Sequence, residues 1–311
     1  MSNAPTFLYA HPDCALHDPA PHKGFAPARL DAVLKALKDP AFKDLAWHDA
    51  PPATESYLSL FHTPEHIASV LQVIPEGEQR AFDFETFAMS GTAQAALRSA
   101  GLVQGAVDAV IKGEARNAFC AVSPGGHHAE ADCALGYCFF NHAALGALWA
   151  QQNADVSRVT IFDFDAHHGN GTQSAFWNHE NRLYVSLHED NALSGFANEH
   201  GAWNNVLNIP LPAESDGALF RDEVECRAFP KIEDFKADLM IVSAGFDMHA
   251  DDPLSRLRLG AADYAWLGEK LAALADRIGK GRLVSVMEGG YNLEALGACA
   301  AAFVQGLMKE T

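Results

Sequence analysis

The sequence predicts an α/β fold, in which a single domain holds a mostly parallel sheet flanked by helices. Short apolar runs alternate along the chain with segments of helical periodicity, which is the order that parallel βαβ units produce. The chain has 311 residues, of which 49% are hydrophobic, so it can bury a sizeable core. We therefore expect one domain over residues 1–311, with a loose tail at residues 1–5.

Six apolar runs predict the strands of the sheet. Each is short, rich in β-branched or aromatic residues and followed by polar or glycine-containing sequence, which is typical of buried strands. The six runs are Thr6–Tyr9, Asn117–Val122, Val159–Phe164, Leu183–Leu187, Leu239–Ser243 and Leu283–Met287.

Five segments predict helices, because their apolar residues recur every three to four positions. They are Pro27–Lys38, Thr92–Lys112, Asn141–Gln152, Ala261–Ile278 and Leu293–Met308. The sequence contains no internal repeat, low-complexity tract or Ser/Gly linker, which favours one continuous unit.

The charge and hydropathy of the chain exclude several classes of protein. The formal net charge is -18 at pH 7, and no basic run balances it, so we expect no nucleic-acid partner. This charge favours a cationic partner such as a lysine-rich peptide or a polyamine, although acidity also simply keeps an enzyme soluble. Neither a membrane-length apolar run nor a signal sequence is present, so we expect no membrane partner and a cytoplasmic location. The six cysteines form no Cys-x-x-Cys pair and are expected to be reduced.

The most informative motif follows the third predicted strand and runs Asp163-Phe164-Asp165-Ala166-His167-His168-Gly169-Asn170-Gly171. It places carboxylates and imidazoles at the carboxyl end of a strand, where open α/β sheets build their sites. Alternation along an extended chain points Asp163, Asp165 and His167 the same way. A carboxylate beside a neutral imidazole suits zinc or a neighbouring divalent ion. The alternative interpretation is a hydrogen-bonded structural network.

Polar segments follow four other predicted strands as well. They are Ser123–His128, Ser186–His188, Ala244–Asp247 and Glu288–Asn292. Because the carboxyl ends of parallel strands meet at one edge of a sheet, the five segments fit a single site. This convergence predicts an enzyme.

Together these motifs resemble the histone deacetylase superfamily, which includes acetylpolyamine amidohydrolases and shares its fold with the arginases. The matching segments run in family order from about Arg29 to Asn292. They are Pro-Gly-Gly-His-His-Ala, Gly-Tyr-Cys-Phe-Phe-Asn, Asp-x-Asp-x-His-His-Gly-Asn-Gly-Thr, Ala-Gly-Phe-Asp and Glu-Gly-Gly-Tyr-Asn. The resemblance implies the arginase/deacetylase fold and a zinc-dependent amidohydrolase that removes acetyl or related acyl groups from amines.

The resemblance also implies two kinds of metal site. One zinc ion per chain would be bound by Asp165, His167 and Asp247, and three protein ligands leave the open position that a catalytic zinc needs. A structural monovalent cation, K⁺ or Na⁺, would lie beneath it. Its implied ligands are the carbonyls of Asp163, Asp165 and His167, with Ser186 and Leu187 supplying the remainder. Alternatively, Ser186 is an ordinary strand residue.

The catalytic residues implied by the resemblance are two histidines and a tyrosine. His128 would act as general base and then as acid to the leaving amine, while His127 contributes electrostatically. Asp163 matches the partner of His127, and Asn170 matches the partner of His128. An asparagine there resembles the class II branch and should leave His128 less basic than an aspartate would. Tyr291 matches the tyrosine whose hydroxyl donates to the forming oxyanion.

The substrate tunnel matches the family less well. The resemblance places Gly136, Tyr137, Leu254 and Gly289 along it, and offers Phe196 or Leu193 as the opposite wall. It also offers Asp83 or Glu85 as a carboxylate that grips a peptide backbone, although solvated loop charges are the favoured interpretation of both. Arg29 sits where the family has an interior arginine, against the alternative of a surface residue.

The identity of residue 254 favours one class of substrate. Polyamine-selective relatives place an acidic residue there, whereas lysine deacetylases commonly carry leucine, so Leu254 favours acyl-lysine peptides or proteins. An acetylpolyamine or another small acylated amine is the alternative substrate. Two other functions are compatible with this fold. Gly169 and His249 disfavour an arginase-like two-manganese hydrolase, and the complete set of site residues disfavours a non-catalytic sensor.

Overall fold

The computed structural model describes residues 4–19, 26–153, 155–190, 198–278 and 280–309. Residues 1–3 of the predicted tail and both candidates for the second tunnel wall, Leu193 and Phe196, lie outside the described residues. Within the described ranges, no helix combines the length and apolar character needed to cross a membrane.

Eight strands of the described chain form one sheet in which every neighbouring pair is parallel. They are β1 (Thr6–Tyr9), β2 (Ala46–His48), β5 (Asn117–Cys120), β6 (Val159–Asp163), β7 (Arg182–Glu189), β8 (Val206–Leu211), β9 (Leu239–Ala244) and β10 (Leu283–Met287). Their spatial order is β2-β1-β5-β10-β9-β6-β7-β8, and a separate antiparallel ribbon pairs β3 (Gln79–Ala81) with β4 (Phe87–Met89). The predicted fold class is confirmed.

Helices flank this sheet, and they fall into two packed groups. The helices are α1 (Pro27–Ala36), α2 (Glu55–Leu58), α3 (Pro64–Val70), α4 (Thr92–Lys112), α5 (His142–Ala150), α6 (Asn170–Phe176), α7 (Gly217–Glu223), α8 (Phe229–Phe235), α9 (Ala261–Ile278) and α10 (Leu293–Met308). α10 packs against α9 and α1, while α4 and α5 pack against each other and the central strands. All five predicted helices are present, three of them with the predicted bounds.

Within the eight-stranded sheet, the two strands that the sequence pattern missed, β2 and β8, are its edges. β2 has three residues, which is too short for a periodicity to register. β8 contains Asn208 and Pro210, residues that disfavour a strand and are tolerated at an edge, where an N–H can face away from the ladder. Pairing with β8 also carries β7 beyond its predicted end, since His188 and Glu189 lie opposite Pro210 and Leu211.

The register of the sheet aligns the ends of the strands that carry the motifs. Asp163, the last residue of β6, lies opposite Ser186 of β7 and Ser243 of β9. On the other side of β9, Ala244 lies opposite Met287 of β10. The polar loops that follow these strands therefore begin at one level, along one edge of the sheet.

Candidate active site

A cavity of about 750 Å³ lies at the carboxyl edge of the sheet. Its wall is built from the loops that follow β5, β6 and β9 and from the end of β7. The lining includes His128, Gly136, His167, His188, Glu189 and Leu254. These four chain segments and the β3–β4 loop, which contributes Glu85, thus form one concave surface, as expected for a substrate site.

Asp165, His167 and Asp247 lie together at this cavity, with their ligand atoms all within 4.8 Å of one another. Nδ1 of His167 is 3.1 Å from Oδ1 of Asp165 and 2.9 Å from Oδ2 of Asp247. One imidazole nitrogen and two carboxylate oxygens form a donor set that zinc accepts, with room for further ligands. Among the described residues, this is the one group of three or more side chains that could hold a metal.

The backbone orients each carboxylate of this group. The amide of Gly289 donates to Oδ2 of Asp165 at 2.7 Å, and the amide of Ala166 donates to Oδ1 of Asp247 at 2.8 Å. A Cβ added to Gly289 would lie 2.4 Å from Oδ2 of Asp247 and 2.5 Å from Oδ2 of Asp165, so only glycine permits this approach. Gly289, expected along the tunnel, therefore packs against two predicted ligands.

The electrostatics of the group favour a bound cation. Burial raises the pKa of Asp247, and the charge of Asp165 raises it further. Burial alone would lower the pKa of His167, yet hydrogen bonds and charge from the two carboxylates raise it well above its usual value. Two carboxylates this close and this buried repel each other, and a cation between them relieves that cost. The residues present fit a zinc ion.

The tandem histidines each bind the partner that the sequence predicted. Nδ1 of His127 lies 3.1 Å from Oδ2 of Asp163, and Nδ1 of His128 lies 2.7 Å from Oδ1 of Asn170. The hydroxyl of Tyr184 also donates to Oδ2 of Asp163, at 3.0 Å. These contacts orient both imidazole rings.

The hydrogen bonds of Asn170 fix the tautomer of His128. The Nδ2 group of Asn170 donates to the carbonyl of His128 at 3.2 Å and to Oε1 of Glu130 at 2.7 Å. Its Oδ1 must therefore face Nδ1 of His128, which carries the proton of that hydrogen bond. The second ring nitrogen, Nε2, is left with its lone pair as a proton acceptor. The resemblance implied no role for Glu130.

The two histidines differ in charge. Burial lowers the pKa of His128 well below its usual value, and the neighbouring charges of His127 and His167 lower it further. Burial would also lower the pKa of His127, but the carboxylates of Asp165 and Asp163 raise it to about 10. The surroundings therefore favour a neutral His128 beside a cationic His127, so the two imidazoles are suited to different roles.

Tyr291 follows β10 and is held by the loop backbone around it. Asn292 caps α10 by accepting from the amide of Ala295 at 3.1 Å. The guanidinium of Arg29, only 2% exposed, lies 5.2 Å from the centre of the Tyr291 ring and donates to the carbonyls of Glu288 and Gly290. Arg29 is thus an interior residue. Burial raises the pKa of Tyr291 well above its usual value, so its hydroxyl stays protonated.

Gly136 lines one wall of the cavity, and Tyr137 follows it in the chain. Gly136 has φ +56°, and a Cβ there would lie 2.4 Å from Cδ2 of His128, so glycine is required. The Tyr137 ring lies 6.3 Å from the Tyr291 ring, centre to centre. Glu85 lines the cavity, whereas Asp83 binds the amides of Glu85 and Thr86 within its own loop. Of the two carboxylates offered by the sequence, Glu85 faces the cavity.

Glu288 is a buried residue whose role the sequence did not reveal. Its Oε2 accepts from the amides of Gly126, at 2.7 Å, and of His127, at 3.3 Å. Its Oε1 accepts from the hydroxyl of Ser243 at 3.2 Å. One carboxylate therefore binds the loops after β5 and β9 beneath the tandem histidines. Only its position beside the Gly-Gly-Tyr motif offered a signal.

Comparison with known proteins agrees with this site. The family model for the histone deacetylase domain matches residues 23–307. A histone deacetylase-like amidohydrolase of Pseudomonas aeruginosa is 33% identical over 85% of this chain and 70% of its own. Histone deacetylase 14, chloroplastic, of Arabidopsis thaliana is 31% identical over 97% of this chain and 74% of its own.

Two further matches extend the comparison. Type-2 histone deacetylase 2 of Dictyostelium discoideum is 35% identical over 73% of this chain, which spans only 15% of that longer protein. A crystal structure of the HDA15 HD domain superimposes with a TM-score of 0.89 at 30% identity, covering 98% of this chain and 90% of that one. The chain belongs to the histone deacetylase family.

Proposed function

We propose that this protein is a zinc-dependent amidohydrolase that removes acetyl or related acyl groups from acyl-lysine side chains. The observation that carries the proposal is the meeting of the Asp165, His167 and Asp247 group with a neutral His128 on one cavity. A metal group and an adjacent proton acceptor are the two parts that hydrolysis of an unactivated amide needs.

A zinc ion bound at this group would polarise the amide carbonyl and lower the pKa of a water molecule. Nε2 of His128 accepts the proton of that water, and later delivers it to the leaving amine. His127, cationic between Asp163 and Asp165, stabilises the negative charge that develops. The hydroxyl of Tyr291 donates to the carbonyl oxygen as it becomes an oxyanion. The products are a carboxylate and a free amine.

The cavity wall supports an acyl-lysine substrate. The side chain of Leu254, 45% exposed, lines the cavity and offers apolar surface to an alkyl chain. Glu189, which lines the same cavity, is paired with Arg256. A peptide-borne lysine has no second cation for this part of the rim to receive, which agrees with Leu254.

Two observations agree with a small acylated amine as the second candidate. Glu85 lines the same cavity, and the chain carries a formal net charge of -18. A polyamine bearing a free ammonium would gain from both. The two candidates share every chemical step and differ only in what the mouth of the cavity recognises.

We also propose a structural K⁺ or Na⁺ ion near the ends of β6 and β7. The pairing of Asp163 with Ser186 supports this, since it brings two of the predicted carbonyl donors onto adjacent strands. Replacing K⁺ by a large organic cation in the buffer should lower the melting temperature if the ion is bound.

The test of the proposed function is a substrate panel on one zinc-loaded preparation. Acetyl-lysine peptides, longer acyl-lysine peptides and acetylated polyamines are compared by kcat/KM, with zinc measured in the same sample. Peptide turnover abolished by a chelator and restored by zinc supports the proposal. A zinc-loaded protein that turns over neither class of substrate contradicts it.

A further inference from the structure

We infer that Asp252 is a positioning residue that places Tyr291 for catalysis and links it to the rim of the cavity at Leu254. The inference rests on the proposed function, because it assigns Asp252 a part in that reaction. It concerns a residue that lies in the loop after β9, five positions beyond the predicted ligand Asp247.

Asp252 binds the backbone of Tyr291 directly. Its Oδ2 accepts from the amide of Tyr291 at 2.7 Å and from the amide of Asn292 at 3.3 Å. The first distance is that of a strong, charge-assisted hydrogen bond. The side chain of Asn292 adds a second tie between the loops by donating to the carbonyl of Asp251 at 3.1 Å.

The other oxygen of the same carboxylate binds the rim of the cavity. Oδ1 of Asp252 accepts from the amide of Leu254 at 3.0 Å. Leu254 lines the cavity, whereas Asp252 is only 7% exposed and is absent from the lining. The buried carboxylate of Asp252 thus joins Leu254, which lines the cavity, to Tyr291, which acts on the substrate carbonyl in the proposed reaction.

The opposite side of the Tyr291 loop is also held, but by different chemistry. Arg29 donates to the carbonyls of Glu288 and Gly290, while Asp252 accepts from the amides of Tyr291 and Asn292. The buried guanidinium of Arg29 thus binds the carbonyls on one side of the loop, and the buried carboxylate of Asp252 binds the amides on the other side. Removing either charge frees the loop to shift, and a shift of about 1 Å at a catalytic group can cost about 100-fold in rate.

Asp252 acts through Tyr291 on this account, and a double-mutant cycle tests that. In the wild-type background, Asp252→Ala should lower kcat by roughly 10- to 100-fold while KM changes less. In a Tyr291→Phe background, which has lost the hydroxyl but kept the amide, the same change should lower kcat by no more than about two-fold. Equal losses in both backgrounds would overturn the inference.

Asp238 provides a matched control. Its Oδ2 accepts from two consecutive amides, Ser157 and Arg158, at 2.9 Å each, just before β6 and β9 and so at the opposite edge of the sheet. Asp238→Ala removes the same kind of contact and should leave kcat unchanged. A loss of kcat in Asp238→Ala equal to that in Asp252→Ala would show that the loss comes from general destabilisation. That result would contradict the inference.

Asp252→Asn covers the case in which the alanine variant does not fold. An asparagine keeps one oxygen for the amide of Tyr291 but turns an NH₂ group toward the amide of Leu254. It should retain more kcat than Asp252→Ala. A wild-type kcat in Asp252→Asn together with unchanged exchange at the amide of Leu254 would contradict the inference.

Amide hydrogen exchange separates this inference from the proposed function. In the wild-type protein the amides of Tyr291 and Leu254 should be protected, and Asp252→Asn should speed the exchange of the second by at least about ten-fold, with the strands unchanged. This readout needs no substrate. Altered exchange in a protein without deacetylase activity would leave the contact established and the proposed function refuted.

Discussion

Asn170 holds His128 in a single tautomer, because its Oδ1 accepts from Nδ1 of His128 at 2.7 Å while its Nδ2 is occupied by Glu130. The neutral amide leaves the buried imidazole without a compensating negative charge. Burial therefore lowers the pKa of His128 well below its usual value, the charges of His127 and His167 lower it further, and its Nε2 is free to accept a proton at neutral pH.

Asn170→Asp should move the acidic limb of the rate profile to higher pH. A base works only when unprotonated, so kcat/KM falls as the pH drops through the pKa of His128. A carboxylate at position 170 raises that pKa by about one unit or more, since it favours the imidazolium. Because Glu130 would then face a like charge, the matched variant is Asn170→Asp with Glu130→Gln. An unshifted limb in that variant would show that His128 is not the base.

Asp247→Ala should lose zinc together with activity. Asp165 and His167 alone form a two-ligand site, which cannot hold the ion against a chelator. Elemental analysis after dialysis against a chelator measures this, with Asp238→Ala as a control that retains both zinc and activity. Stoichiometric zinc in Asp247→Ala would remove Asp247 from the ligand set. Asp165→Ala should behave in the same way.

Tyr291→Phe should fold, bind zinc and lose roughly 100-fold or more in kcat, the usual cost of removing one oxyanion donor. The phenyl ring keeps the contact with Arg29, whose guanidinium lies over it at 5.2 Å, so the melting temperature should stay close to that of the wild type. Steady-state kinetics on an acetyl-lysine peptide check this. Turnover within a few-fold of the wild type would mean that another group polarises the carbonyl.

Leu254→Glu should shift specificity toward acetylated polyamines. A carboxylate at the rim would receive the distant ammonium of spermidine or putrescine, an interaction worth about 1 kcal/mol when partly desolvated. The wild-type enzyme should prefer acyl-lysine peptides by kcat/KM. Leu254→Gln is the neutral control and should leave the ratio between the two substrates unchanged. If Leu254→Glu lowers both activities alike, Leu254 merely packs the loop.

The sequence predicted the interior of the fold better than its edges. Buried strands such as β6 and β10 can be recognised by their continuous apolar runs, because both of their faces are covered. Edge strands obey weaker constraints. Asn208 and Pro210 therefore kept β8 from being recognised in the sequence, although in the structure it pairs with its neighbour β7. Pattern alone carries no information about such pairing.

The candidate site followed the same rule. The side chains that stand in motifs at strand ends, among them His127, His128 and Asp165, could be predicted to converge because parallel strands present their carboxyl ends together. Asp252 and Glu130 could not, since their roles lie in hydrogen bonds to groups distant in the chain. A buried carboxylate that binds another loop leaves no local periodicity to detect.

The measurement that tests the central claim most directly is the activity of His128→Ala with its zinc content determined in the same sample. We expect full zinc occupancy and a loss of deacetylation of at least about 100-fold, because the variant keeps all three ligands and lacks only the proton carrier. His127→Ala should also keep zinc, with a milder loss. Loss of zinc from both variants would make the tandem histidines ligands, and wild-type turnover by zinc-loaded His128→Ala would contradict the mechanism.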